Sequence, residues 1–169
     1  MSTHAHKLNG RLRYVARTMR MPPEPRFAAA EVFSPESAHF APHGFALGSY
    51  CYRDELGRII ETNVPGAGLK FHRLTEGPAE HEQIIERFGE RSFVKVAHIA
   101  GFMRNVVRLS RKGQLGELAA TVTFLVRASE KVIALRVGLF DYIEPPTLRF
   151  SFGATHELPD IHMGLIGHY

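Results

Sequence analysis

One cysteine, Cys51, in 169 residues leaves no internal disulfide to hold the fold, so a packed core must do it. No apolar run approaches the roughly 18 residues needed to span a bilayer, so no membrane helix is expected. The N-terminal residues lack an apolar h-region, and no secretory leader is expected either. These absences together point to a cytoplasmic protein with no membrane partner. Phosphate-cradling and nucleophile signatures are also missing: there is no P-loop, no GxGxxG after a strand, no GxSxG and no CxxC. That argues against nucleotide cofactors, α/β-hydrolase chemistry and zinc ribbons, and no cofactor is expected.

Helical periodicity is scarce between Ser92 and Gly153, where the pattern reads as an antiparallel meander. Leu118 to Val126 and Val132 to Phe140 form two β-rich arms around Arg127-Ala128-Ser129-Glu130-Lys131. Neither arm is strongly polar on either face, so both faces should be covered. Phe93 to Ile99 and Arg104 to Ser110 read as two further strands, bent at Ala100-Gly101. After Pro145-Pro146, Leu148, Phe150 and Phe152 alternate with Thr147, Arg149 and Ser151, the pattern of a half-buried strand.

Upstream, Gly10 to Met21 fits either a helix or a strand, the strand preferred because the rest is β, Pro22 to Pro25 a stiff connector, and Phe27 to Phe33 a short helix or strand. Ser34 to Gly44 is expected as a loop. Phe45 to Arg53 and Arg58 to Val64 suggest a hairpin turning at Gly57, followed by a turn at Pro65 to Gly68 and a strand from Leu69 to Leu74. Gly77, Pro78, Glu80 and Gly89 bracket one short helix whose stripe is Ile84, Ile85 and Phe88. The tail from Thr155 reads as irregular. The expected fold is mainly β, an antiparallel meander closed into a barrel of about eight strands, with one short α-helix.

Charge is uneven. Six of the 21 basic residues, Lys7, Arg11, Arg13, Arg17, Arg20 and Arg26, fall in the first 26 positions, which hold one acid, Glu24; that stretch carries +5 and the other 143 residues −1. The chain therefore divides into a basic N-terminal arm or first strand (1–26) and one barrel domain (27–169). The arm could dock an acidic partner or nucleic acid, but it lacks the interleaved aromatics that stack single-stranded bases.

Ten histidines raise the question of a metal. His4-x-His6 and His39-x3-His43 have ligand spacings but sit in arm and loop, and His156, His162 and His168 follow no recognised pattern. No metal site is assigned. In the strand pattern His98 shares a face with Val94 and Val96, and His72 shares one with Lys70. Arg136 interrupts an apolar strand face, where its charge must be paired, with Asp141 or Glu117 as candidates, or meet a ligand. Tyr50 and Tyr52 share a face opposite Cys51 and could line a pocket. Arg136, His98, Tyr50 and Tyr52 are the candidate catalytic residues.

Glu144-Pro145-Pro146-Thr147-Leu148-Arg149-Phe150-Ser151-Phe152 with Glu157-Leu158-Pro159, preceded by Gly66-Ala67-Gly68-Leu69, resembles the closing strand region of allene oxide cyclase-type barrels. The family's glycine-rich segment before the closing strands is replaced by Arg111-Lys112-Gly113-Gln114-Leu115-Gly116, and no catalytic residue carries over. The resemblance implies a small cofactor-free barrel that shapes an apolar substrate for cyclisation or isomerisation. The expected function is thus a small-molecule cyclase, isomerase or lyase, with a homo-oligomer allowed, acting through the handles named above. A non-catalytic module docking through the basic arm is the alternative, and a metal enzyme using loop histidines the third.

Overall fold

The computed structural model describes residues 11–33, 46–48, 56–76, 79–140, 147–153, 157–158 and 164–169. In chain order the elements are β1 (Leu12–Met21), β2 (Glu24–Ala28), α1 (Ala29–Val32), β3 (Ala46–Gly48), β4 (Ile60–Val64), β5 (Ala67–Leu74), β6 (Ala79–Glu80) and α2 (His81–Phe88). There follow α3 (Val96–Arg111), β7 (Val122–Ala128), β8 (Lys131–Phe140), β9 (Thr147–Gly153), β10 (Glu157–Leu158) and β11 (Leu165–His168). Seven strands form one sheet in the order β1-β5-β11-β7-β8-β9-β3. Its β11–β7 and β3–β9 pairs are parallel and the rest antiparallel. Two small ribbons, β2–β4 and β6–β10, complete the β-structure. The chain is mainly β, as expected, but among the described residues the large sheet stays open, with β1 and β3 at its edges.

Period 2 sends alternate residues of this sheet to two covered faces. Val15, Met19, Leu69, Phe71, Leu165, Val122, Phe124, Leu135 and Val137 pack with Ile99, Phe102, Met103 and Val106 of α3. The intervening residues Leu74, Ile166, Leu125 and Ala134 pack with Ile84 and Phe88 of α2. Hence the double-sided apolar character of β7 and β8: all of Val122 to Val126 is buried, one helix lying on each side.

The largest correction is α3. Phe93 to Ile99 and Arg104 to Ser110 are not two strands; from Val96 they are one 16-residue helix. Every residue from Val96 to Met103 is buried, so no polar residue marks the 3.6 period in its first half. Gly101 permits close approach to β1, since a Cβ there would stand 2.9 Å from Met21 Sδ. Of the hairpin expected between Phe45–Arg53 and Arg58–Val64, the described strands β3 and β4 do not pair with each other. β4 pairs with β2, and β3 pairs with β9. Nor is the described end of the tail irregular, for β11 lies inside the large sheet.

Smaller shifts concern element ends. α2 starts one turn late, with Glu80 as N-cap and Gln83 closing a capping box; Gly89, at φ 60, ends it as expected. Gly116–Ala119 is a 3₁₀ turn, not the start of a strand. The β7–β8 loop is tighter than the five residues expected, because Ala128 already pairs with Lys131.

The described part of the basic stretch, from Arg11, is built into the fold. Val15, Met19 and Met21 of β1 sit in the core. Arg13 pairs with Glu117 at 2.7 Å, Arg26 with Glu31 at 3.0 Å, and Arg11 and Arg17 donate to backbone oxygens of Glu76, Gln114 and Leu115. Removing residues 1–26 would therefore strip an edge strand from the sheet rather than free a separate arm.

Candidate functional site around His72 and His168

Two histidine constellations flank the end of β11, one on each side of the sheet. The first holds His98, which lies on α3 and not on a strand. A carbonyl oxygen can only accept, so His98 Nε2 must donate to Pro65 O at 2.9 Å. His98 Nδ1 then accepts from the Tyr169 hydroxyl at 2.6 Å, while that hydroxyl accepts from the Lys95 N–H at 2.7 Å. Burial lowers the His98 pKa, and burial pushes the Tyr169 phenol up to about 12. Both ring nitrogens are engaged, so this arrangement clamps β11 to the helix start and the β4–β5 turn.

Next to it, Glu61 on β4 accepts from the Val96 and Ala97 N–H groups at 3.0 and 2.9 Å, placing a carboxylate on the positive end of α3. Glu61→Ala should lower stability by about 1–2 kcal/mol in urea unfolding. An unchanged midpoint would mean that this cap is unimportant.

The second constellation lies on the α2 face. His72 of β5 and His168 of β11 meet with His168 Nε2 2.9 Å from His72 Nδ1. His168 Nδ1 lies 2.6 Å from the Tyr169 main-chain oxygen. Only an N–H can face that oxygen, so Nδ1 of His168 holds its proton. Neutral His168 must then accept at Nε2, and His72 must donate from Nδ1. Neutral His72 is left with a bare lone pair on Nε2.

Aromatic rings fix the pair. Phe88 stacks on His168 at 3.9 Å and stands 5.2 Å from His72, while Tyr14 approaches His72 at 5.2 Å. His168 is 3% exposed and His72 half-buried. Burial is the main cause that drives the His168 pKa down to about 4 and lowers that of His72; nearby cations add to both. Both rings are therefore neutral at pH 7.

No family model matches the chain, and no curated protein or solved structure matches it. The site is read from its own geometry. Arg136 lies half-buried on the same face as His72, in the lateral row Tyr14–His72–Ile166–Thr123–Arg136. Three strand spacings put their backbones about 14 Å apart. Glu117, one of the two candidate partners of Arg136, instead pairs with Arg13 and Arg73. His98 is on the opposite side of the sheet from this row. Tyr50, Tyr52, Cys51 and Asp141 lie outside the described residues, as do His4, His6, His39, His43, His156 and His162. Among the described residues no three His, Cys, Asp or Glu side chains converge as a metal would require. No described helix is long and apolar enough to cross a membrane.

The sequence signal for His72 was its alternation with Lys70. His168 carried no such signal, because its partner stands 96 positions away and only the pairing of β11 with β5 joins them.

Proposed function

We propose that the protein is a cofactor-free small-molecule enzyme of the isomerase, cyclase or lyase type, with His72 as the base of a proton transfer. The observation that supports it most is the direction of the chain from His72 Nδ1–H to His168 Nε2 and from His168 Nδ1–H to the Tyr169 oxygen. It aims an unprotonated Nε2 away from the pair. A nucleophile or base oriented by a second group, itself held by a third, is the usual construction of an activated side chain. When His72 takes a proton from carbon next to a carbonyl, its bond to His168 becomes charge-assisted and stabilises the imidazolium. The same proton can then return to another carbon of the substrate or to a leaving group.

Tyr14 supplies exposed apolar wall for the substrate, Phe88 backs the two imidazoles from the core, and Arg136 is a cation on the same face. The ligand site of this reading is the α2 face of the sheet and not a barrel lumen, since α3 fills the opposite face. Cofactor-free isomerisation is also what the allene oxide cyclase resemblance implies.

Two readouts test it. Long-range ¹H–¹⁵N spectra at pH 7 should show His72 protonated on Nδ1 only. Deuterium wash-in next to the carbonyl of small enones and keto acids in D₂O should fall by about a hundredfold in His72→Gln. A proton on Nε2 of His72, or wash-in that the substitution leaves unchanged, would remove His72 as the base.

A further inference from the structure

We infer that the ligand of this site is a small apolar carboxylic acid, its carboxylate held between Lys70 and Arg87 and its body against the exposed ring of Tyr14. The catalytic part of this rests on the proposed role of His72; the binding part does not. Lys70 stands two residues before His72 on the same face of β5 and is the register partner of His168. Arg87 closes α2 with its guanidinium 5.4 Å from the centre of the Phe88 ring, the ring that stacks on His168. Arg91 follows in the 3₁₀ turn Gly89–Ser92, where its carbonyl accepts the Tyr169 N–H at 3.0 Å. All three cations are exposed.

Some cations elsewhere on the described surface have carboxylate partners: Arg13 and Arg73 share Glu117, Arg26 has Glu31 and Arg127 has Glu90. Lys70, Arg87 and Arg91 make no ion pair with a carboxylate among the described residues. Glu90, the acid beside Arg91 in sequence, is held by Arg127. Among the described residues, the charged side chains that act on the two imidazoles, besides each other, are cations: Arg87 and Lys70 on His72, Arg91 and Lys70 on His168.

Three like charges around two neutral rings repel one another, and no described carboxylate pairs with them. An anion relieves that repulsion, and a planar carboxylate fits the fork of Arg87 while Lys70 supplies a point charge. A carboxylate there also leaves the rest of a small acid beside the Tyr14 ring that flanks His72.

Titration of the full-length protein with phenylacetate and its neutral counterpart phenylacetamide, read on the His72 ring signals, decides this. Phenylacetate should shift those signals and raise the midpoint of the His72 titration, because a nearby anion favours the imidazolium. Phenylacetamide should do neither. Lys70→Met and Arg87→Met should each weaken phenylacetate by about tenfold. Equal responses to acid and amide, no response to either, or binding indifferent to both substitutions would overturn the anion site. Phenylacetate binding that needs both cations in a protein whose His72 bears its proton on Nε2 would leave the anion site standing and sink the proton-transfer reading instead.

Discussion

Gly167→Ala should destabilise the protein by about 3 kcal/mol or more, a large effect for one added methyl group. In an ordinary strand this change is favourable, because alanine restricts the unfolded chain. Here the added Cβ would stand 2.1 Å from Phe124 Cε1 and 2.6 Å from Cδ1. The ring has nowhere to go: Phe124 is fully buried and meets Phe102 edge-on at 5.2 Å. β11 cannot retreat either, since it is hydrogen-bonded to β5 on one side and β7 on the other. The missing side chain at Gly167 is what lets an aromatic ring lie over the middle of the sheet.

Chemical unfolding of Gly167→Ala, Phe124→Leu and the double variant checks the cause. Phe124→Leu alone should cost about 1 kcal/mol, and the double variant should be more stable than Gly167→Ala, with a coupling of about 1 kcal/mol or more. A Gly167→Ala protein as stable as the parent would mean that β11 does not lie in this register. The residue also matters to the site, because it sets the position of His168 next to it.

What the sequence shows and hides follows from how local each cause is. The β7–β8 hairpin and β9 were legible because period 2 is written in consecutive residues. α3 was not, for two local reasons and one distant one. Its first eight residues are buried all round, which erases the amphipathic stripe, and Val96, Ile99, Phe102, Val106 and Val107 suit a strand equally well. The helix start is fixed by Glu61, 35 positions upstream, which no window around Val96 contains. β11 is only four residues long, Leu-Ile-Gly-His, and is a strand because two distant strands accept it. The same holds for the site. Lys70 and His72 could be placed on one face from β5 alone, but the residue that fixes the tautomer of His72 comes from β11. Arg136 was singled out as a charge on an apolar face; of the two partners suggested for it, Glu117 serves β1 and β5 instead and Asp141 lies outside the described residues.

Acid should unfold the protein through His168. Its folded pKa of about 4 lies below the ordinary value of 6.5, so the unfolded chain takes up a proton that the folded chain refuses. Folding is therefore opposed as pH falls below about 6.5, and the loss is complete near pH 4, where both states are protonated; it amounts to up to about 3 kcal/mol. His72 is lowered too, and acts in the same direction. Glu117, whose carboxyl is held below its ordinary value chiefly by its bond to Arg13, adds to the loss only in the lower part of that range. The His168→Gln variant separates these contributions, since it removes one titration and leaves the carboxylate. Urea midpoints from pH 7.5 to pH 4 should fall more steeply for the parent than for His168→Gln. Parallel curves would show that His168 titrates normally and is not buried as described. The physical reason is the hydrogen-bond chain itself. A protonated His168 turns an N–H toward the N–H of His72, so His72 must move its own proton to Nε2 or swing away from the Phe88 stack. The first response removes the lone pair proposed as the base, and the second loosens α2 from the sheet, so activity and stability should share one acid limit.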